Sequence, residues 1–193
     1  MTALPPFRLC RLHLASRRAP AALVAVVAFA LVLWTTTRWL HKVGPWTHAV
    51  PLTVALGAAA VIGVTTWNPF GEVERTGGRH LPGLRLVTVL LLVAATAIAF
   101  AAATPADYAS LLRQFVGLTG IALLTAALLG ARHSWTIPLA YAVICARGFD
   151  LGWTSLWVWP TRTGHDTAAT AIAAFLLAAG LAVAALHGPR QTD

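Results

Sequence analysis

Charge is almost absent from long stretches of this chain, and that absence restricts its fold more than any motif does. Of 193 residues, 10% are charged and 58% are apolar, where a soluble domain carries roughly 25% charged residues. The apolar residues are gathered into blocks of about twenty, the length at which a helix rising about 1.5 Å per residue crosses about 30 Å of hydrocarbon. In lipid every backbone polar group must be satisfied internally, so such blocks predict helices. The expected fold is all-α: a polytopic membrane protein of six transmembrane helices.

The six spans are expected at about 19–40, 49–67, 84–103, 108–129, 135–150 and 168–186, forming one transmembrane domain over residues 1–193. The fifth is the most interrupted, since Arg147 and Asp150 fall at its end while residues 151–159 turn apolar again. The polar stretches between spans are too short to bury a soluble core. Mean hydropathy is +0.73. The formal net charge of +8 would point to nucleic acid in a soluble protein. Beside apolar spans, the same arginines instead face anionic headgroups, so the expected partner is the lipid bilayer and not nucleic acid.

Orientation follows from where the basic residues fall. With the N-terminus inside, Arg8, Arg11, Arg17, Arg18, Arg75, Arg79, Arg85, Arg132 and Arg190 are inner, and Arg38, Lys42, Arg147 and Arg162 are outer. That asymmetry predicts both termini inside a cell membrane. Trp34, Trp39, Trp46, Trp153, Trp157 and Trp159 then fall at the outer interface, where aromatic belts form. Ahead of the first span, residues 7–16 alternate Arg8 and Arg11 with Leu9 and Leu12. This pattern predicts a short amphipathic helix on the inner interface, retained rather than cleaved as a signal peptide, because no small-residue cleavage site follows.

Catalytic constellations are hard to draw. A phosphate-binding loop needs Gly-rich sequence ending in Lys-Ser or Lys-Thr, and the single lysine, Lys42, is not in one. His13, His41, His48, His80, His133, His165 and His187 sit at or beyond span ends, away from the depth at which a haem or metal site would lie. Glu72, Glu74, Asp107, Asp150, Asp166 and Asp193 are likewise outside the span centres. Cys10 and Cys145 are too far apart in sequence to suggest a thiolate site. No enzyme activity, cofactor or metal is expected.

Three segments remain. Arg113 and Gln114 lie inside the fourth span, where a charge is costly and often functional; Arg113 can snorkel outward, pair with Asp107, or line a substrate pathway. The stretch 147–166 combines an Arg–Asp pair, three tryptophans and Pro160, and either re-enters the membrane or lies on its outer interface. The inner loop between the second and third spans, 68–85, holds Glu72, Val73, Glu74, Arg75, Thr76 and Arg79. Acids are unfavourable beside anionic lipid, so a protein partner accounts for Glu72 and Glu74 as well as a solvated loop does.

Taken in order, these features resemble the permease subunits of type-two ABC exporters. In that family an amphipathic interface helix precedes the first span, a cytoplasmic coupling helix joins the second to the third, and short outer helices lie between the fifth and sixth. Residues 7–16, 71–85 and 147–160 occupy the corresponding places. Glu72, Glu74, Arg75, Thr76, Pro82 and Arg85 echo the order of the coupling region, which the chain leaves at Gly77-Gly78, where the family has Leu-Glu. The segments 14–20 and 187–190 look like actinobacterial members. The resemblance implies an ATP-driven exporter permease in a bacterial plasma membrane, paired with a second permease chain and driven by a soluble ABC ATPase subunit through the loop at 71–85. The other reading is a non-transporting membrane scaffold or assembly protein that anchors a partner.

Overall fold

The computed structural model describes residues 19–39, 46–66, 81–105, 108–152, 155–162 and 165–186. The expected interface helix at 7–16 and the loop residues 67–80 lie outside them. The described residues form six α-helices: α1 (Ala19–Trp39), α2 (Trp46–Thr65), α3 (Leu81–Ala103), α4 (Tyr108–Leu129), α5 (Thr136–Asp150) and α6 (Thr167–Leu186). Short 3-10 turns, Ala131–His133 and Leu156–Thr161, precede α5 and α6. No strand occurs among the described residues.

The helices begin where the sequence allows. Pro20 and Pro82 sit in first turns, where the missing N–H has no helical partner to lose. The helix at Leu81 therefore starts before the expected 84. Hydroxyls inside apolar helices bond back to their own turn: Thr35, Thr36 and Thr96 donate to Leu31, Val32 and Leu92 carbonyls at 2.8–2.9 Å, so none of these O–H groups faces an apolar surrounding unpaired. At the α4–α5 junction Gly130 adopts φ 90°, ψ 152°, a backbone region essentially closed to side chains bearing Cβ.

Four of the helices are long and apolar enough to cross a membrane: α1 over Pro20–Trp39, α3 over Leu86–Ala103, α4 over Tyr108–Leu129 and α6 over Thr167–Leu186. The apolar part of α2, Ala49–Thr65, is shorter. The expected fifth span is a helix of 15 residues, about 22 Å long at 1.5 Å per residue, which falls short of the ~30 Å of hydrocarbon.

α4 is the central helix. Its apolar stretch is 67% buried, against 17% for α1 and α6. The outer helices turn Leu23, Val24, Val27, Leu31 and Phe175 outward, an apolar surface that suits lipid and not water. Small residues bring the partners of α4 close. Against α6, a Cβ on Gly180 would come within 2.6 Å of the Gly120 carbonyl oxygen. Against α2, Gly63 is covered by Ser134 and Ala122. Against α3, Phe100 and Phe115 meet edge to face, with centroids 5.4 Å apart. Phe29 of α1 fills the notch at Gly57 of α2.

Candidate functional site

At the end of the bundle where α4 and α6 begin and α5 finishes, residues 155–162 fold back as a strap. Val158, Trp159 and Pro160 are buried. The strap holds its own shape: the Val158 N–H donates to the Ser155 carbonyl at 3.0 Å, and the Arg162 N–H to the Trp159 carbonyl at 3.4 Å. These bonds leave the Trp157, Pro160 and Arg162 carbonyls to find donors elsewhere, and non-helical backbone at membrane depth is tolerated only inside protein or beside a water-filled cavity.

Side chains of the bundle supply the missing donors. Arg113 Nη2 donates to the Arg162 carbonyl. Gln114 Nε2 donates to the Pro160 carbonyl at 2.9 Å. Tyr141 of α5 donates its hydroxyl to the Trp157 carbonyl at 2.5 Å. The Trp159 indole is seated on Gly117, one turn along α4 from Arg113 and Gln114; a Cβ there would lie 2.5 Å from its Cζ2. Tyr141 stacks on the same indole, with centroids 6.2 Å apart and rings inclined by 26°.

Two expectations change on this geometry. Arg113 is 3% exposed, so it does not snorkel; its guanidinium turns into the bundle to serve the strap. Its other expected partner, Asp107, lies outside the described residues. Trp159 is 2% exposed and belongs to the core, whereas Trp34, Trp39 and Trp157 are exposed as a belt requires; the flat ring is drawn in because Gly117 leaves room for it. Trp46 and Trp153 lie outside the residues whose side chains are described. Gln114, 5% exposed, commits its N–H to Pro160 and leaves Oε1 buried with no donor, a state that carries a desolvation cost of roughly 1–3 kcal/mol.

Asp166 anchors the other side of the strap. Its Oδ2 accepts from Arg162 Nη1 at 2.5 Å, and its Oδ1 accepts the Ala169 N–H at 3.1 Å, which caps the first turn of α6. The Ala169 N–H, then the Arg162 guanidinium, hold this carboxyl below the ordinary carboxylate range. A carboxyl depressed in the folded state stabilises fully above its unfolded value of about 3.9, and that stabilisation is lost as pH falls through the lowered folded value. Asp166→Asn keeps a capping oxygen but cannot titrate. Thermal unfolding of the full chain in detergent between pH 5 and 3 is therefore expected to lose stability more steeply for the parent than for D166N; parallel curves would refute the assignment.

Glu72, Val73, Glu74, Arg75, Thr76 and Arg79 all lie outside the described residues, so the structure brings together Arg113 and Gln114 alone of the expected site residues. It adds Tyr141, Trp159, Pro160 and Asp166. The available signal was the spacing of Gly117 at i+3 and i+4 from Gln114 and Arg113, which puts all three on one helical face. Among the described residues no group of His, Cys, Asp or Glu could hold a metal ion. Compared with protein-family models, curated proteins and solved structures, the chain matches none.

Proposed function

We propose that this chain is the transmembrane permease subunit of an ATP-driven ABC exporter, crossing a bacterial plasma membrane six times with both termini inside. In this reading it pairs with a second permease chain and takes its power stroke from a soluble ATPase through the loop at 71–85. The observation that carries the reading is the strap: a short irregular segment before the last helix, tucked against α4 and α6, in the place where such permeases have short outer helices. The acidic loop before Leu81 supports it from the sequence. In this reading α5, too short to span alone, makes a shallow fifth crossing, and the strap that folds back after it closes its outer end.

The mechanism then divides the work. The chain carries no nucleotide phosphate loop, so hydrolysis occurs in the partner and arrives as movement at Glu72–Arg79. Such movement shifts the inward-open and outward-open populations only as far as the ATPase binds the two differently. Charge reversal at Glu74 or Arg75 is expected to lower permease-stimulated ATP hydrolysis about tenfold, within the usual 5–150-fold range of site-to-site coupling, with membrane insertion unchanged. The measurement is ATPase activity of the complex that co-purifies with the tagged full chain. Unchanged stimulation in both variants, or a co-purifying partner that binds no nucleotide, would overturn the exporter reading; the latter result fits a scaffold.

A further inference from the structure

The geometry points to the strap as a detachable closure of this end of the bundle, with Arg113, Gln114 and Tyr141 as its latch. This goes beyond the transport reading and stands without it, since it rests only on the described helices. Three observations converge. The backbone bonds that give the strap its shape, Val158 to Ser155 and Arg162 to Trp159, lie within it, so it can move as a unit and keep them. The bonds by which α4 and α5 hold it come from side-chain tips, the Arg113 guanidinium, the Gln114 amide and the Tyr141 hydroxyl. Such contacts break by side-chain rotation, with no helix unwound.

The third observation is the Gln114 Oε1, buried and without a donor while the strap is down. A buried acceptor left unmade is unfavourable, and withdrawal of the strap lets water reach it. The closed arrangement therefore contains one contribution that favours opening, set against contacts that include the three latch bonds, the Arg162–Asp166 ion pair and the seating of Trp159 on Gly117. A switchable element needs opposing contributions of this kind. Release uncovers a guanidinium, a carboxamide and a phenol on one face.

The test follows a cysteine placed under the latch. The full chain carrying C10S and C145S, the latter putting a hydroxyl in place of the thiol beside Tyr141, is given V158C, at a position 0% exposed in the strap. A second chain carries A58C, equally buried in α2, as the measure of general loosening. Both are treated in detergent with a water-soluble maleimide. V158C is expected to react slowly in the parent, and about tenfold faster with Y141F, the factor that loss of one hydrogen bond of about 1.4 kcal/mol gives; Q114A, which removes the bond to Pro160 and the unpaired Oε1 together, is expected to accelerate it less. A58C is expected to hold its rate, and R113K, which keeps a donor, to open the strap less than R113A. Fast labelling of V158C in the parent, no acceleration by the latch variants, or equal acceleration at A58C would each overturn the proposal.

Discussion

Gly120→Ala is expected to be strongly destabilising, although it adds a single methyl group. An added Cβ would come 2.5 Å from the Leu177 amide nitrogen and overlap the Leu176 carbonyl group. Both obstacles are backbone, so no rotamer change relieves them, and α4 must separate from α6. Overpacking typically costs about 1–3 kcal/mol, occasionally more; with backbone as the obstacle we expect about 3 kcal/mol or above. Gly180→Ala should behave alike, because its Cβ would meet the Gly120 carbonyl at 2.6 Å from the opposite side. Ala178→Leu, on the exposed face of α6, should be near neutral despite adding more atoms. Thermal unfolding in detergent compares them, and equal midpoints for G120A and A178L would dismiss the close α4–α6 approach.

Trp159→Ala is expected to follow, at about 3 kcal/mol, the low end of the range for Trp truncations in a packed core. The low end applies because the surroundings are apolar on both sides of folding: packing is lost, while little is gained from escaping water. Gly117→Ala attacks the same contact from beneath, placing a methyl group where the indole lies. The two changes must therefore fail to add. Once the ring is gone, the methyl group introduced at position 117 enters vacated space, and G117A/W159A should be no less stable than W159A alone. A double-mutant cycle reads this directly. Additive losses would mean that the ring and the glycine do not touch.

The helices were legible because apolar blocks of membrane length leave few alternatives. The block at 108–129 stands out in the sequence and recurs as Tyr108–Leu129; the first block, 19–40, differs from Ala19–Trp39 by one residue. Arg113 and Gln114 were legible as a problem, since charge and amide inside a span demand an explanation. Their solution was not. The acceptors are carbonyls 46 and 49 residues further on, and every residue has a carbonyl, so nothing in the side-chain pattern marks those of Pro160 and Arg162. Trp159 misled for a related reason. A tryptophan beside a proline reads as an interfacial residue until the empty space above Gly117 is seen. The shortness of α5 was half visible in Arg147 and Asp150, which cut its apolar run, yet only the fold reveals that the chain turns back into the bundle afterwards.

The central place of α4 has a consequence for biogenesis. Of the four helices long enough to cross a membrane, it is the least hydrophobic and also the most enclosed. Emerging from the translocon alone, it would present Arg113 and Gln114 to acyl chains before anything could shield them. The partners that satisfy these groups, the strap carbonyls, are synthesised only afterwards. A chain truncated before residue 155 would carry a segment whose polar groups have been deprived of their hosts.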